Sequence, residues 1–170
     1  ILNMGNEIEL KNKALELINK KDFVNSIDIL KKLLSQTPNS IEILNYIALC
    51  YSKLQKYHEA LKSFEKIIDI KNDLPEIHYN IAQCHFHLSN QTRSLDSYYT
   101  AIKIKPNFYE AYLQAGNILK NLTKYQDSIN LYLEGLKNCN QKEVFFINLS
   151  ELYFLIQNYN ALYLLHLREP

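Results

Sequence analysis

Three histidines and one cysteine lie close together in the middle of the chain, where they are the residues best suited to hold a metal ion. His78 and His85 are seven residues apart, Cys84 precedes His85, and His87 follows. Seven residues are about two turns of helix, so both imidazoles share one face, but ligands on a single helix cannot surround a metal. We therefore expect no metal site and interpret His78 and His85 as packing residues.

Sequence patterns for other kinds of catalysis are absent. The sequence contains no GxxxxGK[ST], HExxH, GxSxG or GxGxxG motif, and no Ser or Cys has a nearby His that position would explain. The three cysteines form no CxxC pair, which fits a reducing compartment. Neither a signal-peptide pattern nor an apolar run of about 18 residues is present. We expect a cytoplasmic protein that is not an enzyme, needs no cofactor and has no membrane contact.

The composition excludes several further classes. The 170 residues carry a net charge of only +1, and the basic residues are 17 Lys against 2 Arg, which argues against nucleic-acid binding. Apolar residues make up 47% of the chain, so it is not disordered. With only 3 Gly and 4 Pro, the sequence does not suit a many-stranded β protein.

An internal period of 34 residues organises the chain. One set at this spacing is aromatic except for Gln91, and comprises Phe23, Tyr57, Tyr125 and Tyr159. Two sets consist of small residues, namely Ala14, Ala48, Ala82, Gly116 and Ser150, and Ser26, Ala60, Ser94 and Ser128. A fourth set comprises Leu30, Phe64, Tyr98 and Tyr132. Small residues at fixed positions indicate places where two helices cross closely.

Each period contains two helices. Apolar residues recur at helical spacing on both sides of a break near residues 55–57, which predicts helices of about 14 residues. A short polar residue also stands three positions before a glutamate in three periods, at Asn39 and Glu42, Asp73 and Glu76, and Asn107 and Glu110. This spacing predicts capping boxes at the start of each first helix.

The pattern resembles the tetratricopeptide repeat: small residues stand at the eighth and twentieth positions, an aromatic residue at the twenty-fourth, and Pro near the end. On that register the repeats are 7–40, 41–74, 75–108, 109–142 and an incomplete 143–170, after a tail or the end of an earlier repeat at 1–6. The usual Trp near the repeat start is replaced, for example by Leu44. The resemblance implies an all-α, right-handed α-solenoid of about five repeats, whose first helices line a groove that binds protein or peptide partners.

The register implies which residues face that groove. The sixth positions hold Asn12, Tyr46, Asn80, Gln114 and Asn148. Neighbouring groove positions add Lys11, Asn45, Tyr79, Gln83 and Asn117. A carboxamide offers a donor and an acceptor side by side, so a row of them can hold a peptide backbone, and the row is similar to the asparagine ladder of O-linked N-acetylglucosamine transferases. The alternative is compositional bias, because the chain contains 19 Asn.

Two other features of the groove point to its ligand. Chaperone-binding members of the family use a clamp of Lys, Asn, Asn, Lys and Arg, and here only Lys11 fits, with Leu15, Tyr46, Glu76 and Asn80 at the other places. We therefore do not expect a chaperone C-terminal carboxylate as the ligand. The periodic glutamates are either an acidic rail for a basic peptide or, as we prefer, helix-start residues that complement the helix dipole.

The last segment is apolar where earlier repeats are polar. Leu164 and Leu165 stand where repeat 2 has Lys62 and Ser63. We therefore expect the last helix to present an apolar contact face, which is covered either by self-association or by continuation of the chain. Three functions follow from these observations. We expect a peptide-binding module, with a substrate-presenting region of a larger transferase and a structural subunit joined through this face as the alternatives.

Overall fold

The computed structural model describes residues 4–157, in which the chain is helical and contains no strand. The chain divides into two compact units, unit 1 at residues 1–89 and unit 2 at residues 90–170. Unit 1 contains α1 (Met4–Asn19), α2 (Phe23–Leu34), α3 (Ile41–Lys53), α4 (Tyr57–Ile70) and α5 (Pro75–His87). Unit 2 contains α6 (Gln91–Ile104), α7 (Tyr109–Asn121), α8 (Tyr125–Asn138) and α9 (Lys142–Leu155). Across residues 4–157, no helix combines the length and the apolar character that a membrane crossing needs.

Within each unit, every helix packs against the next one along the chain. The predicted break near residues 55–57 is confirmed, because α3 ends at Lys53 and α4 begins at Tyr57. The odd-numbered helices α1, α3, α5, α7 and α9 are the first helices of the predicted repeats. The predicted start of repeat 1 at residue 7 lies inside α1, which begins at Met4.

The turn between the two helices of a repeat has the same backbone shape each time. One residue with φ between 56° and 60° follows each first helix, and these residues are Lys21, Gln55, Ser89, Thr123 and Gln157. The next amide reaches back to the helix end, as from Asp22 N to the Leu17 carbonyl at 2.8 Å. In this geometry a residue in the left-handed helical conformation ends the helix, and the amides that follow satisfy its last carbonyls. None of the five residues is glycine, so the residue that usually marks such a turn is missing from the sequence.

The predicted capping boxes are wrong in position by one residue. The N-caps of α3, α5 and α7 are Ser40, Leu74 and Phe108 rather than Asn39, Asp73 and Asn107. Pro75 is the first residue of α5 and holds Leu74 in an extended conformation, so Asp73 lies outside the helix start. Ser40 itself accepts a hydrogen bond from the Ile43 amide at 3.4 Å. The glutamates remain in the first turns, where they complement the helix dipole.

The two sets of small residues meet where the helices of a repeat cross. In unit 1 the Ser26 hydroxyl donates to the Ala14 carbonyl at 3.0 Å, and in unit 2 the Ser128 hydroxyl donates to the Gly116 carbonyl at 2.8 Å. All four residues are buried. A serine at this place fills little space and satisfies its hydroxyl on a helix carbonyl, which explains why the set tolerates a polar residue in the core.

Packing on both sides of α3 leaves one face of it open. One side packs with α1 and α2 through Ile43, Ile47 and Cys50. The other side packs with α4 and α5 through Leu44 and Ala48. The side chains between them stay only half-buried, and they are Asn45, Tyr46 and Leu49. We call the corresponding surface of α1, α3 and α5 in unit 1 the first-helix face.

Candidate functional site

The predicted carboxamide row lies on the first helices. In unit 1, Asn12 of α1 is exposed, and Tyr46 of α3 and Asn80 of α5 are half-buried. In unit 2, Gln114 of α7 and Asn148 of α9 are half-buried. All five side chains therefore keep some access to solvent, which a ligand-binding role requires.

A cavity of about 370 Å³ in unit 1 brings two of the predicted residues together. We call it the Asn80 cavity, and it is lined by Leu49, Ser52, Lys53, Gln55, Tyr57, Asn80, Gln83, Cys84 and His87. The C-terminal halves of α3 and α5 form it, with the start of α4 at one side. Because most of its lining residues carry a side-chain donor or acceptor, the cavity suits a hydrogen-bonding ligand.

The hydrogen bonds inside the cavity leave one carboxamide open. Gln83 Nε2 donates to the Tyr79 hydroxyl at 3.1 Å. The Asn80 side chain makes no hydrogen bond to any of the residues 4–157. On the neighbouring α3, Asn45 Oδ1 is buried and has no hydrogen-bond partner within that same range. Asn80 is therefore free to offer both its donor and its acceptor.

Two stacked rings form a wall of the cavity. The rings of Tyr57 and His87 lie 4.6 Å apart between centroids, at an interplanar angle of 6°. On the floor, Ser52 Oγ lies 3.7 Å from Cys84 Sγ, and burial raises the pKa of the Cys84 thiol. The thiol is thus kept protonated and behaves as a small packing group rather than as a nucleophile.

Lys11 lies in a different cavity of unit 1 and is already paired. Its Nζ lies 2.7 Å from Glu42 Oε2, and this hydrogen bond raises the pKa of Lys11. Both side chains also line a cavity of about 300 Å³ beside the N-cap Ser40. An exposed pair of this kind adds little stability, but it neutralises one of the periodic glutamates.

In unit 2, the predicted carboxamides are partly used inside the protein. Asn117 Oδ1 accepts a hydrogen bond from the Tyr132 hydroxyl at 2.9 Å. Asn148 Nδ2 donates to the Val144 carbonyl at 2.7 Å. These two hydrogen bonds do not use the Asn117 side-chain nitrogen or the Asn148 side-chain oxygen.

The histidines do not assemble into a metal centre. His85 is buried, whereas His78 is only half-buried and its Nε2 donates to the Asn72 carbonyl at 2.8 Å. In the described part of the chain, no group of three or more His, Cys, Asp or Glu side chains could hold a metal. The predicted contact residues Leu164 and Leu165 lie outside the described residues.

Sequence reasoning missed two members of the Asn80 cavity, Lys53 and His87. They are one period apart, at the same position of two successive repeats, and both are basic. That shared position and charge was the one signal in the sequence that could have identified them.

Comparison with known proteins finds a family model that matches two of the predicted repeats. A family model described as Tetratricopeptide repeat matches residues 41–74 and 75–108, the bounds that the resemblance implies for repeats 2 and 3. The Hsp70-Hsp90 organising protein of Plasmodium falciparum is 27% identical over 99 residues, which are 54% of this chain and 18% of that protein. The chain spans less than a fifth of the length of the curated relatives that it matches.

Two solved structures show the likeness in three dimensions. A tetratricopeptide repeat protein from Parabacteroides merdae has a TM-score of 0.81 at 21% identity, covering 94% of this chain and 63% of that one. The first such repeat domain of Spaghetti (RPAP3), bound to the HSP90 peptide SRMEEVD, has a TM-score of 0.65 at 17% identity, covering 72% of this chain and 97% of that one. These likenesses confirm the predicted fold class, an all-α helical repeat.

Proposed function

We propose that this chain is a tetratricopeptide-repeat protein that binds an extended peptide segment of a protein partner along its first-helix face. The Asn80 cavity carries the proposal, because it places the open carboxamide of Asn80 beside that of Gln83 on α5. A carboxamide can pair with both the N–H and the C=O of a peptide unit. Such pairing holds a backbone with little regard for its side chains.

The relatives support this role. One is named as an organiser of Hsp70 and Hsp90, and the repeat domain of Spaghetti holds an HSP90 peptide. We take the chain to act by binding rather than by catalysis. The asparagine ladder of the transferases, the substrate-presenting role and the contact face at Leu164 and Leu165 stay predictions.

The size of the expected effect sets the test. Each amide–backbone pair contributes about 0.5–1.5 kcal/mol net, so losing two of them weakens binding by about 5- to 150-fold. Peptides are first selected on the purified protein from a display library of random segments. The affinity of an enriched peptide is then measured by fluorescence anisotropy for the wild type and for the double variant Asn80→Ala, Gln83→Ala.

A matched control removes two carboxamides elsewhere. Gln126 and Asn130 are exposed on α8, a second helix, where Gln126 Nε2 donates to Asn130 Oδ1 at 3.1 Å. We expect Gln126→Ala, Asn130→Ala to bind the peptide as the wild type does. The proposal fails if no peptide is enriched, or if both double variants lose the same affinity.

A further inference from the structure

We infer that the Asn80 cavity receives an acidic side chain of the bound peptide, so that a glutamate or aspartate is selected at one fixed ligand position. This inference rests on the proposed function, since it assumes that a peptide lies on the first-helix face. It adds a specificity that the carboxamides do not supply, because amides pair with any backbone.

The charges around the cavity favour an anion. Lys53 and His87 line it together with neutral amides, hydroxyl, thiol and apolar groups, and no carboxylate is among its lining residues. Within residues 4–157, Lys53 forms no ion pair and both Lys53 and His87 are exposed. An acidic side chain is the peptide group that complements a lysine and an imidazole at the same place.

The nearest acidic residues of α3 and α5 lie at the opposite helix ends. Glu42 precedes Lys53 by eleven residues, and Glu76 precedes His87 by eleven, which is about 16 Å along each helix. This exceeds the screening length of about 8 Å at physiological salt. The positive charge at the cavity is thus not cancelled from within α3 or α5, and on α4 the acidic residue nearest in sequence to the lining residue Tyr57 is Glu59, which does not line the cavity.

Basic residues at a helix end also complement the helix dipole, and unit 2 shows what that arrangement looks like. Lys120, in the last turn of α7, donates to Glu151 of α9 at 2.9 Å. There the protein supplies its own carboxylate. Lys120 stands one residue before the position equivalent to Lys53 and His87, and at the Asn80 cavity no lining residue supplies a carboxylate.

The stack of Tyr57 on His87 holds the imidazole against the cavity wall. A fixed ring loses little freedom when it binds, so its contribution to specificity is larger than that of a freely rotating side chain. A glutamate suits the site well, because its methylene groups can cover Leu49 while its backbone pairs with Asn80.

The test uses random peptides placed inside a carrier protein, so that no peptide has a free C-terminus. We expect the wild type to enrich peptides with an acidic residue at a common position. Changing that residue to its amide weakens wild-type binding by about 3- to 10-fold, the effect of a partly exposed ionic contact. In the variants Lys53→Met and His87→Phe, we expect the difference in affinity between the acidic peptide and its amide counterpart to be smaller than in the wild type. The phenylalanine in His87→Phe keeps a ring against Tyr57. The control Lys62→Met, on the exposed surface of α4, keeps the wild-type preference.

Three results overturn the inference and leave the proposed function standing. In one, peptides are enriched without any acidic position. In another, the acidic preference is unchanged in Lys53→Met and His87→Phe. In the third, a parallel library with free C-termini alone shows a preference for a carboxylate, which assigns the anion to the chain terminus. If the wild type enriches no peptide at all, the inference and the proposed function fail together.

Discussion

Adding one methyl group at Gly116 tests the packing on which the repeat depends. A Cβ at this position of α7 would lie 2.2 Å from Cε1 and 2.5 Å from Cζ of Tyr132 on α8. The Tyr132 ring is fully buried and its hydroxyl donates to Asn117 at 2.9 Å. The ring must therefore move by more than an ångström or the two helices must separate.

The expected cost follows from three contributions. Overpacking a filled core costs about 1–3 kcal/mol. Displacing the ring also weakens the hydrogen bond of Tyr132 to Asn117, which contributes about 1 kcal/mol. Replacing glycine by alanine inside a helix returns about 1 kcal/mol through helix propensity. We expect Gly116→Ala to lower the free energy of unfolding by about 1–3 kcal/mol, measured by urea denaturation followed by circular dichroism.

A second substitution isolates the steric cause. Repeat 1 carries Ala14 and Leu30 at the equivalent positions, both with no exposed surface. Gly116→Ala should therefore cost at least about 1 kcal/mol less in a Tyr132→Leu background than in the wild type, as a double-mutant cycle measures. A stabilised Gly116→Ala variant, or a cycle with no coupling, would refute this account of the packing.

Three further predictions concern the described residues. Thr123 has φ 60°, which is costly for a β-branched residue, so Thr123→Gly should raise the unfolding free energy by about 1 kcal/mol. The control Thr100→Gly, inside α6, should instead lower the unfolding free energy by a few tenths of a kcal/mol (about 0.3), because glycine is a poorer helix former than threonine. Unfolding free energies that change in the same direction in both variants would contradict this prediction. Ser128→Ala leaves the Gly116 carbonyl without its buried donor and should cost about 1–2 kcal/mol in urea denaturation, and an unchanged midpoint would contradict it. Burial raises the pKa of Tyr132 to about 12, so the folded chain keeps a proton that the unfolded chain loses near pH 10. The free energy of unfolding should fall as pH rises from about 10 to 12, and it should fall less steeply in Tyr132→Phe than in the wild type. If urea denaturation gave the same pH dependence for both proteins, this prediction would be wrong.

Much of the fold is predictable because a fixed period repeats the same packing problem. The small residues at Ala14 and Ser26 predict a close crossing, and the structure places them in contact. The predicted boundaries 41–74 and 75–108 coincide with the matched repeats. Helix starts were less predictable, because Pro75 fixes the backbone before it and overrides the capping signal of Asp73.

The helices that carry the candidate site residues were predictable from the sequence, but the hydrogen-bond partners of these residues were not. Position in the repeat places Asn80 and Asn117 on first helices, whereas their hydrogen bonds depend on which side chain the next helix presents. The Asn117 side chain accepts a hydrogen bond from Tyr132, fifteen residues away, while the Asn80 side chain has no hydrogen-bond partner among residues 4–157. Such contacts depend on rotamers and helix separation, which a 34-residue period does not specify.

The side-chain amide signals of the protein test the central claim most directly. Asn80 and Gln83 carry NH₂ groups that nuclear magnetic resonance observes individually during titration with a selected peptide. If the peptide lies on the first-helix face, these signals shift and saturate with the binding curve, while those of Gln126 and Asn130 on α8 stay in place. Saturating shifts at Gln126 and Asn130, with Asn80 and Gln83 unmoved, would contradict the account.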